Sequence, residues 1–356
     1  MSFIRSAYRI AIALHILFTS PLKPKGSPRI FYGGARRGDI GGTLVKIKRL
    51  QDFFPQSPYL YNIVYSLSNA PYLSRCSLGL LSICKVPLVL NQNGVFYPSW
   101  YSGNWKKQNS IMSLAYHKAD FVIWQSQFSR DCADHFLGRR SGPGEILFNA
   151  VDIDFFKPVM STELRPFTFL VAGKTSKDLS YRLELAIESI ALARKSGLNT
   201  CLLIAGVVHE RARLQSLVES YSLTKYIHFL GPYSQQEAPL IFQSSDAYLS
   251  LTFQDVCPNS VIEAMSCGLP ILYSSSGGVP ELVGPDAGIG LHVPRDWSRI
   301  NVPPVHLVVA AMFEIFRNSC SYSIAARKRA LEHFNIRKWL TRHDEIFTAL
   351  IASKSL

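Results

Sequence analysis

AYLSLTFQDVCPNSVIEAMSCGLPILYS, residues 247–274, sets two strand signals on either side of a helix signal. Its ends, AYLSL and PILYS, are short apolar runs of strand length, and the segment between them has the character of a helix. Asn259 and Ser260 are good N-cap residues, and Gly268 with Pro270 supplies the stop. The loop TFQDVCP carries Asp255, and Glu263 follows eight positions later, one turn into the helix. One carboxylate before a helix and one inside it do not make a single amphipathic face.

The same alternation repeats along the chain. Candidate strands are 29–33, 61–67, 86–91 and 120–126, then 167–173, 200–206, 226–231, 247–251, 270–274 and 288–293. Helical patterns such as 42–54, 180–197, 208–222 and 304–318 lie between them. Strand–helix alternation of this kind predicts parallel sheets covered by helices on both faces. The stretch 149–166, with two prolines and several turn formers, separates the two series. The expected fold is α/β, with two Rossmann-like, doubly wound parallel-sheet domains facing a central cleft. The first spans 1–158 and the second 166–335; a last helix, 336–353, is expected to pack back on the first, because the second sheet is complete without it. Ligands of such sheets bind beyond the carboxyl ends of the strands, which makes the cleft the natural site.

Composition bounds the rest. With 47% hydrophobic and 12% aromatic residues in 356, the chain can bury two cores, and 18% charged residues with no low-complexity tract exclude a disordered protein. The formal charge of +13 is uneven: residues 1–160 hold 19 Lys/Arg and 8 Asp/Glu, against 19 and 17 in the remainder. A basic first half suits an anionic partner, and with no recognised nucleic-acid motif a membrane surface is expected. The apolar stretch Ile10–Phe18 is too short to span a bilayer and lacks a cleavage site, so it reads either as a helix in a membrane interface or as a first core helix. Seven scattered cysteines fit reduced thiols in the cytoplasm, and no CxxC or Cys/His cluster offers a metal site.

The chemistry gathers at helix starts. The amides near Ser260 and Val261 form a ready anion site, and Glu263 lies near the same helix end. A ligand with a diphosphate in its middle and hydroxyls at both ends would use Asp255, the helix N-terminus and Glu263 together. A second glycine-rich helix start, Gly41-Gly42-Thr43, has Arg36 and Arg37 in the preceding loop and also favours an anion.

These segments carry a resemblance. D-x7-E followed by AMSCGLPILYSSSGGVPELV closely resembles the E-x7-E block of retaining glycosyltransferases of GT-B fold, family four. FLGPYS (229–234), NAVDIDFFKP (149–158), YGGARRGDIGGT (32–43) and KADFVIWQSQFSRD (118–131) resemble further segments of that family, in order, over most of 29–294. The resemblance implies that Glu263 accepts hydrogen bonds from the ribose of a nucleotide-sugar donor. It implies that Asp255, shorter by a methylene than the family's glutamate, contacts the transferred sugar. The amides of Ser260 and Val261 would hold the distal phosphate, while Gly277, Gly278 and Glu281 would shape the loop over the donor. Two cations would balance the departing diphosphate, with no metal or other cofactor expected. Lys174 stands at the first cation's position. Tyr181 occupies the second, so Lys177 and Arg182 compete for that role. Asn93 stands where a subgroup has Asp in a segment resembling LNQNGVFYPSWY, and no equivalent of the family's frequent histidine is found.

The function implied is transfer of a sugar, with retention, to a hydroxyl of a glycan or polyprenyl-phosphate-linked acceptor, in polysaccharide or glycolipid synthesis at the cytoplasmic face of the membrane. Alternatives are an epimerase of the same architecture and a catalytically silent nucleotide-sugar-binding protein. A dinucleotide-dependent oxidoreductase is disfavoured, since GGARRGDIGG does not give G-x-G-x-x-G.

Overall fold

The computed structural model describes residues 2–35, 38, 42–159 and 165–354, the side chains of 2–5 and 43 excepted. Its backbone clusters into two compact units. One takes residues up to Phe148, Trp297–Arg299 and the stretch from Arg337 onward; the other takes Asn149–Asp296 and Ile300–Ile336. The division therefore falls ahead of the expected boundary at 158. Asn149 donates from its side-chain amide to the Cys257 carbonyl at 2.9 Å, and Arg327 donates to the carbonyl of Phe156 at 3.0 Å. These bonds hold 149–156 in the second unit.

The first unit contains a five-stranded parallel sheet: β1 (Ile30–Phe31), β2 (Ile63–Leu67), β3 (Leu88–Gln92), β4 (Phe121–Trp124) and β5 (Gly144–Ile146), in simple chain order. Both faces of β2 and β3 are buried, which explains their near-continuous apolar sequences. The helix Ile336–Ser353 packs here as well: His343 and Phe347 lie against Tyr65 of β2, with ring centroids 5.8 and 6.0 Å apart. An unanticipated contribution comes from Trp297, which meets Tyr97 edge-on at 4.9 Å and stacks on Phe128 at 6.0 Å.

The second unit contains a six-stranded parallel sheet: β6 (Phe167–Ala172), β7 (Thr200–Ala205), β8 (Ile227–Gly231), β9 (Ala247–Ser250), β10 (Ile271–Ser275) and β11 (Gly288–His292), in the order β11-β10-β9-β6-β7-β8. The order reverses between β6 and β9, the signature of a doubly wound sheet; the described strands of the first sheet show no such reversal. Helices Tyr181–Lys195 and Val305–Arg317 cover it with apolar residues three or four apart: Leu183, Ile187 and Ile190 on one, Val308, Met312 and Ile315 on the other. Each is buried against strand residues such as Phe169 and Leu202, and each contributes about 1.5–3 kcal/mol of burial.

The opening stretch folds as β9, the helix Asn259–Ser266 and β10. Its helix ends at Cys267, and Gly268 follows with φ +78°, a left-handed position that glycine occupies without cost. The start differs from expectation. Pro258 is the N-cap and no side chain caps the helix. Ser260 Oγ is instead hydrogen-bonded to the Tyr248 hydroxyl oxygen at 2.8 Å, and the buried Asn259 Oδ1 has no partner. Burial of Tyr248 beneath the helix end wins over the capping preference.

Candidate active site

Parallel strands place all their carboxyl ends along one edge, and a strand-order reversal opens a crevice there because the flanking loops part in opposite directions. In the second unit that position lies between β6 and β9. Lys174 follows β6, Asp255 follows β9, Glu263 is on the helix after β9, and Gly277 and Gly278 follow β10. The second unit thus brings four of the expected elements to one end of one sheet.

Specific bonds tie these loops together. Tyr248 of β9 donates to the Ala172 carbonyl at the end of β6, at 3.2 Å. The Phe253 backbone N–H donates to the Tyr181 hydroxyl at 2.8 Å, and Gln254 N–H to Ser276 Oγ at 3.0 Å. Gly278 N–H donates to the Asp255 carbonyl at 2.8 Å. Gly277 has φ +74°, and a Cβ there would collide with that same carbonyl oxygen, so only glycine lets the loops after β9 and β10 close on each other.

Arg182 spans the reversal. Its Nη1 donates to Thr252 Oγ1 at 3.0 Å, and its Nη2 donates to Thr175 Oγ1 at 2.8 Å and to the Lys174 carbonyl at 3.2 Å. The buried Nε has no partner. Its competitor Lys177 is exposed on a short turn, Lys177–Leu179, and adds to the pull that lowers the Glu210 carboxyl. Of the two, Arg182 is the cation at the crevice. Lys174 is exposed, two residues beyond the end of β6. Tyr181, at the position where the resemblance places a cation, is a structural acceptor instead; burial pushes its phenol up to about 12.

The two carboxylates sit in different surroundings. Burial raises the Asp255 carboxyl, opposed by the Arg182 guanidinium and by the backbone N–H groups of Val256 and Cys257. Glu263 is 3% exposed on the helix Asn259–Ser266. It neighbours Tyr233 and Tyr248, whose phenols are raised first by burial and further by its charge. A buried carboxylate beside aromatic hydroxyls, at the edge of a sheet, is costly for a fold and suits a hydroxyl-bearing ligand. The Val261 amide donates to the Pro258 carbonyl at 3.2 Å, which leaves the amides ahead of it as the helix's anion-facing group. Glu281 is partly buried, and its carbonyl accepts from Arg329 Nη2 at 2.7 Å.

The remaining expected residues belong to the first unit. Gly41, with Arg36 and Arg37, lies outside the described residues; Gly42 is the exposed first residue of the helix Gly42–Gln51. Asn93 belongs to a polar cluster at the carboxyl ends of β2, β3 and β4. Its Oδ1 accepts from Lys46 at 3.3 Å and from Gln125, and its amide donates to Asn69 at 2.8 Å. Sequence reasoning did not single out Lys46 or Gln125, nor Tyr233, Tyr248, Thr175 and Thr252 in the second unit. Tyr233 and Gln125 had a signal, since they stand inside FLGPYS and KADFVIWQSQFSRD, and Tyr248 and Thr252 stand inside the stretch 247–274.

Known proteins resemble this chain in sequence and in fold. Residues 154–301 match the family model for glycosyl transferases group 1. The chain is 27% identical over 182 residues to a subunit of the phosphatidylinositol N-acetylglucosaminyltransferase of Arabidopsis thaliana, a match covering 50% of this chain and 40% of that protein. It is 29% identical over 123 residues to the putative colanic acid biosynthesis glycosyltransferase WcaL of Escherichia coli K12, covering 33% of this chain and 30% of WcaL. The matches thus span less than half the length of these relatives. Among solved structures, sucrose-phosphate synthase from Thermosynechococcus elongatus superimposes with a TM-score of 0.65 at 16% identity, covering 86% of this chain and 77% of that one. Anabaena HepE in complex with UDP-glucose gives 0.65 at 18% identity, with 86% and 82% covered. Residues 154–301 are thus similar to the glycosyl transferases group 1 family, and the two parallel-sheet α/β units have the fold of GT-B glycosyltransferases.

Proposed function

We propose that this protein transfers a glycosyl unit from a nucleoside-diphosphate sugar to a hydroxyl of a glycan or polyprenyl-phosphate-linked glycan, with retention at the anomeric carbon. The observation that carries this reading is the convergence of Lys174, Arg182, Asp255 and Glu263 on the carboxyl edge of the second sheet at its strand reversal. The UDP-glucose complex of a protein with this fold supports a nucleotide-sugar donor. Relatives named for colanic acid and phosphatidylinositol glycosylation support a surface polysaccharide or glycolipid as product.

In this reading Glu263 grips the ribose hydroxyls, Asp255 the hydroxyls of the transferred sugar, and the first amides of the helix Asn259–Ser266 the distal phosphate. The bond from the anomeric carbon to the diphosphate oxygen breaks as the bond to the acceptor oxygen forms on the same face. The acceptor's proton passes to the departing phosphate, so no protein base is required. Arg182 and Lys174 balance the charge that develops on the leaving group. Arg182 is held in advance by two threonines and a carbonyl, so little reorganisation is needed when that charge appears. We place the reaction in the cytoplasm, on the inner face of the membrane where a lipid-linked acceptor would be presented.

Thermal shift against a panel of nucleotide sugars identifies the donor, since ligand binding to the native state raises its melting temperature. Transfer of the matched, labelled sugar to lipid-linked and soluble acceptors is then measured. Glu263→Ala is expected to abolish both donor stabilisation and turnover. Specific donor binding with no turnover on any acceptor would leave a binding protein only, and conversion of the donor alone to an epimer would replace transfer by epimerisation.

A further inference from the structure

The helix Ser2–Thr19 is amphipathic in an unusual sense. Its inward side is anchored: Ile12 and Ile16 are buried, Tyr8 donates to the Gly34 carbonyl at 2.8 Å, and Arg9 Nε donates to the Pro71 carbonyl at 3.1 Å. His15 Nε2 donates to the Pro58 carbonyl at 2.6 Å. The outward side is apolar. Ile10, Leu14, Leu17 and Phe18 are 63, 51, 44 and 71% exposed, and Leu22 just beyond is 57% exposed. Their spacing of three and four puts them on one stripe. From residue 6 to 22 no exposed side chain is charged. A helix finished by water presents its polar residues outward; this one spends them on the protein and shows its hydrocarbon.

A cluster of positive charge borders the stripe. Lys23, directly after the short turn Ser20–Leu22 that follows the helix, donates to the Lys85 carbonyl at 2.8 Å. Burial lowers its ammonium, and the neighbouring charges of Lys85 and Lys354 lower it further. Lys354 is paired with Asp120 at 2.7 Å, so Lys23 and Lys85 are the excess charge. Ser20 donates to Cys84 Sγ at 3.3 Å, which sets the 79% exposed Ile83 beside the end of the stripe.

We propose that this face docks the protein onto an anionic phospholipid bilayer, the helix Ser2–Thr19 lying in the headgroup plane with Leu14 and Phe18 in the acyl boundary and Lys23 and Lys85 over the phosphates. Apolar side chains supply the burial, and lysines that repel one another in the free protein gain counter-charges at the surface. Among the described residues no helix is long and apolar enough to cross a membrane, and this helix is fastened along its other side, so it lies on the bilayer. The inference deepens the reading of a lipid-linked acceptor and rests on it only for its purpose.

Flotation of the full chain with vesicles of phosphatidylcholine, and of phosphatidylcholine mixed with phosphatidylglycerol, tests it without donor or acceptor, so its failure is separate from that of the transferase reading. Binding to the mixed vesicles at low ionic strength, weakening with salt, is expected. Leu14→Asp with Phe18→Asp should abolish it. Lys23→Ala with Lys85→Ala should weaken it about thirtyfold, from roughly 1 kcal/mol per lysine near an anionic surface. No flotation of the wild type, or variants that float like it, would overturn the proposal. So would a dimer in solution that the apolar-face variant dissolves while mixed vesicles are ignored, which would assign the stripe to a second copy. If the apolar-face variant does not fold, the lysine variant decides, and unchanged affinity there is fatal.

Discussion

Arg182 and Thr252, seventy positions apart, are hydrogen-bonded at 3.0 Å, and this bond joins the helix after β6 to the loop after β9 across the reversal of strand order. The same guanidinium reaches Thr175 and the Lys174 carbonyl. One side chain therefore ties together the rim of the candidate site and carries a positive charge there.

Arg182→Met should lower turnover about 10²–10³-fold, the range seen when one preorganised donor to developing charge is removed. Arg182→Lys should recover only part, because an ammonium cannot serve Thr252, Thr175 and a carbonyl with the planar fork of a guanidinium. Lys177→Ala, on its exposed turn, should leave turnover within about twofold of wild type, as surface substitutions usually do. Steady-state rates of the three variants with one donor decide the assignment; equal losses for Arg182→Met and Lys177→Ala would break it.

Glu263→Gln keeps the size of the side chain and removes its charge. Loss of one charged hydrogen bond, about 1.5–3 kcal/mol, should weaken donor affinity roughly 10- to 150-fold. Calorimetric titration of donor into both proteins gives the ratio, and unaltered affinity would place the nucleotide elsewhere.

Gly277→Ala should destabilise the second unit. A left-handed backbone costs a side-chain-bearing residue about 1–2 kcal/mol, and the new Cβ must also push back the Asp255 carbonyl. Urea unfolding should show the loss, and donor affinity should fall with it because Asp255 moves. Gly173, whose φ is +107° but which has open space around it, is the control: Gly173→Ala should cost the backbone strain alone.

His343 predicts a pH dependence of stability. Its Nδ1 donates to the Trp339 carbonyl at 2.8 Å, which leaves Nε2 of the neutral ring to accept from the Tyr65 hydroxyl at 3.4 Å. Burial lowers its pKa to about 3 from the usual 6.5; the nearby Lys46 charge lowers it further, and the Trp339 bond opposes both. Below pH 6.5 the unfolded chain takes up a proton that the folded ring refuses. Stability is therefore full above that pH and falls by about 1.4 kcal/mol per pH unit as acid is added, until pH nears 3. The gap in unfolding free energy between wild type and His343→Leu should shrink at that rate from pH 6 to pH 5. A gap that stays constant would mean the ring is protonated in the folded protein.

Much of this molecule is local in origin. The apolar runs of β2, β3, β6, β7 and β10, the helical spacing of Leu183, Ile187 and Ile190, and the stop at Gly268 depend on neighbours within a turn or two, so periodicity and punctuation expose them. Asp255 before a helix and Glu263 within it are legible for the same reason. The helix start at 259 was legible in position but not in chemistry, since the residue that captures Ser260 is Tyr248, on the strand beneath.

The linear chain settled which segments become strands and helices, because backbone sterics and side-chain period act over a few residues. It could not settle that Arg182 rather than Lys177 turns inward, that Tyr181 receives the Phe253 N–H, or that His343 is sealed against Tyr65. Those outcomes follow from strand order. Placing β9 beside β6 brings together loops some seventy residues apart, and folding the last helix onto β2 removes water from a ring that would otherwise be charged in acid. Distance along the chain carries no information about either neighbour; the packing of the sheets supplies it.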